Sequence, residues 1–104
     1  MKLSDSPYWI LCALGEGDAH GYLIASRIRT LTAGAISIGP GTLYSTLERL
    51  VAEGEIVRAG DEVVDGRNRR SYRLTEAGLG KVTDETLRRA AATDRVRLVL
   101  GMAR

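Results

Sequence analysis

At 104 residues the chain has about the length of one domain, and a domain of that size buries only roughly 60–65% of its unfolded surface, so a compact monomer would be marginal. A hydrophobic fraction of 44% with 27% charged residues excludes a disordered or fibrous chain, and a lone Cys12 excludes an intramolecular disulfide or a cysteine-rich zinc site and suits a reducing, cytoplasmic compartment. The net charge of +2 does not by itself argue for a nucleic-acid partner, but 13 of the 15 basic residues are arginine, and four of them (Arg67, Arg69, Arg70 and Arg73) fall in one stretch with no acid between them.

The N-terminal apolar run, Tyr8 to Leu14, is too short to span a bilayer and is followed by no small-residue cleavage site, so neither a membrane span nor a secretory leader is expected. Ser6-Pro7 predicts the start of a first helix. Trp9, Ile10, Cys12, Ala13 and Leu14 make that helix apolar on nearly every face, and Gly15 and Gly17 end it. A second helix follows from Tyr22, Leu23, Ala25, Ile28 and Leu31 at helical spacing, ending at Gly34. After Gly39-Pro40-Gly41, the residues Leu43, Leu47, Leu50 and Val51 mark the buried stripe of a third helix that closes at Gly54; its polar side carries Thr42, Ser45, Thr46 and Arg49.

From Glu55 the period changes to two. Ile56-Val57-Arg58 and Arg70-Ser71-Tyr72-Arg73-Leu74 read as strands, the second with Tyr72 and Leu74 inward, and Asp65-Gly66 is the turn between them. Thr75 then caps a last helix running to about Met102, with Leu79, Val82, Leu87, Ala90, Leu98 and Val99 on an imperfect apolar stripe. A helix of that length has nothing of its own to pack against throughout, which predicts a partner subunit.

Three helices followed by a basic hairpin and a further helix define the expected fold class: mainly α with a small β-hairpin, a winged helix-turn-helix over residues 1–75 plus a C-terminal dimerisation helix over residues 76–104. In such a fold the third helix enters the major groove and the hairpin, or wing, sets arginines on phosphates. The expected DNA contacts are Thr42, Tyr44, Ser45, Thr46 and Arg49 from helix 3 and Arg67, Arg69, Arg70 and Arg73 from the wing.

The segments Ile10-Leu11-Cys12-Ala13-Leu14, His20-Gly21-Tyr22, Gly39-Pro40-Gly41-Thr42-Leu43-Tyr44, Leu47 to Ile56 and Arg69 to Gly78 together resemble PadR-family repressors, over about Tyr8 to Gly80. The resemblance implies a winged helix whose first and fourth helices form a homodimer, with Trp9, Leu87 and Leu98 at the interface. Its single C-terminal helix is similar to the smaller subfamily. Ser45 stands where many members carry proline, which frees a hydroxyl, and Glu48 stands where lysine or arginine is common, which lowers the charge of helix 3.

Several side chains have more than one reading. The Tyr44 ring either packs on helix 2 or sends its hydroxyl toward phosphate. His20 reads as a cap or packing residue rather than a ligand, and no metal or other cofactor is assigned. Tyr8 and Trp9 are interface core or, alternatively, the wall of a pocket for a small aromatic effector. Cys12 reads as inert core. Catalysis finds no support, since the chain holds neither a phosphate-cradling loop nor a nucleophile with a partnered base. The expected function is therefore a homodimeric transcriptional repressor on a two-fold symmetric stretch of double-stranded DNA. The alternatives are a nonspecific architectural DNA-binding protein and a winged helix that binds proteins.

Overall fold

The computed structural model describes residues 4–102; residues 1–3 and 103–104, the outer ends of the two expected segments, lie outside the described residues. Helix α1 spans Asp5–Leu14, strand β1 Ala19–His20, α2 Gly21–Leu31, α3 Pro40–Ala52, β2 Ile56–Val64, β3 Arg67–Leu74 and α4 Glu76–Val99. The three strands form one antiparallel sheet in the order β1-β3-β2. This is the expected winged helix-turn-helix with a hairpin and a C-terminal helix.

The core lies where α1, α2 and α3 meet the base of the hairpin. Ile10 and Leu11 of α1, Ile24 and Ile28 of α2, Leu47 and Leu50 of α3, and Ile56 at the start of β2 are fully buried, each contributing about 1.5–3 kcal/mol of apolar burial. The Leu43/Leu47/Leu50 stripe is thus the inner face of α3, as its spacing requires.

Several elements differ from the sequence reading, among them β3, which begins at Arg67 rather than Arg70, and α2, which ends at Leu31 ahead of Gly34. Helix α1 begins at Asp5 after Ser4, and Pro7 sits in its first turn, where no intrahelical N–H is needed anyway. Strand β1, two residues pairing Ala19 with Tyr72 and His20 with Ser71, is too short to show any alternation. Strand β2 runs on to Val64 because its outer half is solvent-exposed; its polar residues hide the period, and a bulge between Arg58 and Gly60 breaks it. Helix α4 ends at Val99 rather than near Met102.

The Asp65-Gly66 turn is as expected. Both residues have positive φ (52° and 75°), the signature of the two-residue hairpin turn whose twist matches that of the strands. Thr75 caps α4, its Oγ1 accepting from Gly78 N at 3.0 Å and donating to Gly54 O at 2.8 Å. Gly78 has a second role: a Cβ there would collide with the Glu55 carbonyl, so only glycine lets α4 cross this closely over the α3–β2 junction. Lys81 fastens the same crossing through its Nζ, 2.6 Å from Oε2 of the buried Glu55.

Only the first half of α4 is held by the protomer. Val82 is buried, Tyr8 and Thr86 share a hydrogen bond of 2.8 Å, and the Arg89 guanidinium lies 3.8 Å from the centre of the Tyr8 ring while also pairing with Asp5. Glu85 is buried and pairs with both Arg88 and Arg89. Beyond this clamp α4 leaves the body, which explains a longest dimension of 53 Å against 27 and 22 Å for the other two.

Candidate nucleic-acid interface

Helix α3 is set for display. Gly39 precedes it, Pro40 opens it with a φ already helical, and the Leu43/Leu47/Leu50 stripe fixes its rotation against the core. Advancing about 100° per residue, Gly41, Ser45, Glu48 and Ala52 fall opposite that stripe, flanked by Thr42 and Arg49 on one side and Tyr44 on the other; all seven are exposed. Ser45 Oγ rests 3.2 Å from its own helix's Thr42 carbonyl, a local bond that it can exchange for an outside partner.

One expected contact is corrected. Thr46 is 8% exposed and lies on the core side of α3, so it cannot reach a base edge; its position, one residue before Leu47, puts it within the buried arc. The residue that sequence reasoning left out of the surface is Glu48. It is on the outermost line of the helix, and both its carboxylate oxygens accept from Arg58 Nη2 of strand β2, at 3.1 and 3.2 Å. The three-and-four spacing from Gly41 through Ser45 and Glu48 to Ala52 was the signal that could have found it.

Tyr44 packs against helix 2 while remaining 45% exposed. Its ring packs on the backbone of Gly21, where an added Cβ would lie 2.6 Å from the hydroxyl oxygen, so the glycine of His20-Gly21-Tyr22 exists to admit that ring. His20 is the cap of α2, its Nδ1 accepting from Leu23 N at 3.2 Å.

The wing distributes its arginines unequally. Arg67 and Arg70 are exposed, and no ion pair engages them among the described residues. Arg69 is half-buried and lies over the Tyr22 ring at 5.8 Å, which ties the wing to α2. Arg73, at the hairpin base, forms a two-bonded pair with Asp18 at 3.1 and 2.8 Å; that guanidinium pulls the Asp18 carboxyl below the usual carboxylate range. Arg73 is therefore a brace between the α1–β1 turn and β3. The opposite strand dilutes the charge, since Asp61 stands across from Arg70 and Glu62 across from Arg69. Between α3 and the wing a polar groove of about 320 Å³ is lined by His20, Tyr44, Glu48, Asp61, Arg69 and Arg70 among others.

The two aromatic residues of α1 separate. Tyr8 is 6% exposed, committed to Thr86 and Arg89, while Trp9 is half-buried and meets Tyr8 edge-on at 4.9 Å. Cys12 is half-buried, and burial pushes its thiol above the usual range. On α4, Leu87 (65% exposed) and Leu98 (76%) are uncovered, together with Val99 (82%). Among the described residues no helix is long and apolar enough to cross a membrane, and no group of three or more His, Cys, Asp or Glu is placed to hold a metal ion.

A helix presenting polar side chains next to a basic two-stranded wing defines a winged-helix protein of the DNA-binding kind. Residues 10–84 match the family described as the transcriptional regulator PadR-like family. The chain belongs to that family and is a transcriptional regulator. It is 39% identical over 92 residues to the transcriptional regulator Rv3488 of Mycobacterium tuberculosis, covering 88% of this chain and 79% of the relative. Its fold matches that of a PadR family transcription regulator from Clostridium difficile, with a TM-score of 0.78, 20% identity and coverage of 93% and 99% of the two chains. It also matches Bacillus subtilis PadR in complex with operator DNA, with a TM-score of 0.65 and 26% identity over 75% of this chain and 44% of that one.

Proposed function

We propose that the protein is a homodimeric repressor that binds a two-fold symmetric operator in double-stranded DNA, reading bases with α3 and holding phosphates with the wing. The observation that carries the DNA reading is the outward face of α3, polar from Thr42 to Arg49 and oriented by the leucine stripe, beside the exposed Arg67 and Arg70, which no ion pair engages among the described residues. Bacillus subtilis PadR, whose fold is similar, has been solved in complex with operator DNA, which supports a DNA-binding role for this chain. A nonspecific architectural role would need no such ordered polar face.

The dimer rests on α4. A groove of about 290 Å³ between α1 and α4, walled by Leu11, Leu74, Leu79, Val82 and Leu87, is apolar and open, and the exposed Leu98 and Val99 extend that apolar surface beyond the clamp. A second copy of α4 is the occupant that covers both, since a two-fold interface is self-complementary and α4 (Glu76–Val99) then serves as the dimerisation helix. In this reading Trp9, beside the interface, also stacks a planar aromatic effector that releases the DNA, and such a ligand works only by favouring the DNA-incompetent arrangement of the two subunits. Tyr8, being buried, acts there as support for Trp9 and not as a stacking surface.

Selection of bound duplexes from a randomised pool, followed by titration against salt, tests the DNA reading. A palindromic consensus with steep salt dependence is expected. Binding without sequence preference would leave only the architectural role, and no binding would leave protein interaction. Titration of planar aromatic compounds against Trp9 fluorescence tests the effector; compounds that neither quench it nor release DNA would remove that part.

A further inference from the structure

A carboxylate on the outermost line of a helix that faces DNA is a liability unless something there needs it. Glu48 occupies that line, in the second half of α3, and the structure does not leave it loose: Arg58 Nη2 bridges both of its oxygens at 3.1 and 3.2 Å from the adjoining strand. The pair is accessible, with the Arg58 side chain 44% and the Glu48 side chain 61% exposed. Building on the DNA-binding reading above, we propose that Glu48 is a specificity-determining residue that accepts a hydrogen bond from the N4 amine of a cytosine in the major groove, and that Arg58 is its positioning residue.

The chemistry selects cytosine. A carboxylate only accepts hydrogen bonds, so it is repelled by the O6 and N7 acceptors of guanine and by the O4 of thymine. Adenine offers an amine but sets its N7 acceptor beside it. Cytosine N4 has an acceptor on one side only, the paired guanine O6, with a C–H on the other, whereas adenine N6 stands between its own N7 and the paired thymine O4. Each Glu48 oxygen spends one lone-pair site on Arg58 and keeps another directed elsewhere, since an ionised carboxylate has about four such sites. Arg58 makes no other bond among the described residues, so its charge offsets the repulsion between Glu48 and the phosphates while its Nε and Nη1 remain open to a phosphate. A helix surface of Ser45, Glu48 and Arg49 therefore reads by a mixture of donor and acceptor, not by positive charge.

The test is selection from a randomised duplex pool, at one fixed salt concentration, by the full chain and by E48A, E48Q and R58A. The wild-type consensus is expected to hold cytosine at one position of each half-site. E48A should lower that preference about tenfold and leave the other positions as they were, and E48Q should turn it toward adenine, which a glutamine contacts in bidentate fashion. R58A should weaken the same cytosine preference with the melting temperature unchanged, whereas a purely structural pair would lower the melting temperature and leave the consensus intact. If the wild type selects a consensus and both Glu48 variants reproduce it at every position, this inference is overturned and the DNA-reading function stands. If the wild type selects no sequence, both are lost.

Discussion

Helices α3 and α4 face solvent in opposite ways. The outer side of α3 is polar and its leucines are inside, so it can sit in water indefinitely and still offer hydrogen bonds to a wet, charged groove. The outer side of α4 carries Leu87, Leu98 and Val99 in the open, while its buried residues include the ion-paired Glu85. What a helix exposes defines its partner: α3 fits nucleic acid, and α4 fits another apolar surface. Helix α1, although nearly all apolar, is largely satisfied within the protomer, with Tyr8, Ile10, Leu11, Ala13 and Leu14 buried. Among the described residues the largest run of exposed apolar side chains, Leu79, Leu87, Val96, Leu98 and Val99, thus lies on α4.

The contrast can be broken most severely on α4. Leu98→Glu or Leu87→Glu should dissociate the dimer and, by removing the second half-site's binding, lower operator affinity on the order of a hundredfold or more; sedimentation and DNA titration on the same samples would read both, and unchanged assembly would exclude α4 from the interface. On α3, Ser45→Ala and Arg49→Ala should each cost ~1–3 kcal/mol of base discrimination without affecting assembly. Thr46→Ala, on the buried side, should lower the melting temperature and leave the selected sequence unaltered.

Gly78→Ala sharpens the comparison from the inside, because the new Cβ meets the Glu55 backbone and α4 must lift; a loss of about 1–3 kcal/mol in denaturant unfolding is expected. Gly21→Ala should cost less, since the obstructing group is the Tyr44 side chain, which can swing outward. In the wing, Arg67→Ala or Arg70→Ala should weaken binding to all sequences alike and reduce the salt slope by ~1 for each phosphate no longer neutralised.

The smallest effect concerns acid. Because Arg73 holds the Asp18 carboxyl below its ordinary value, the pair's stabilisation is present above the unfolded-state value of about 4 and fades as pH falls through the lower folded value. Both groups are exposed, so Asp18→Asn should flatten the melting-temperature profile between about pH 5 and pH 2 only slightly, as thermal melts over that range would show.

The order of elements was legible because each carries a local signal: leucine spacing in α3, Asp65-Gly66 at the turn, Thr75 before α4. What escaped was set by long-range geometry. Nothing near Thr46 in sequence distinguishes it from Ser45; only the rotation of α3 against the core puts one inside and the other outside. The arginines of the wing read alike in sequence, yet Arg73 is engaged by Asp18, 55 residues away, and Arg69 by Tyr22. Glu48 stands out in sequence for its charge, but its role as the partner of Arg58 requires knowing where β2 runs.

The central claim is that two copies of the chain, joined through α4, place two α3 helices on one DNA. Sedimentation equilibrium of the protein with a selected duplex, against the same duplex cut to a single half-site, tests it most directly. Two chains per full-length duplex are expected, with half-site centres about 10 base pairs, or one helical turn, apart, and a large loss of affinity for the single half-site. One chain per full-length duplex, or equal affinity for both DNAs, would contradict it.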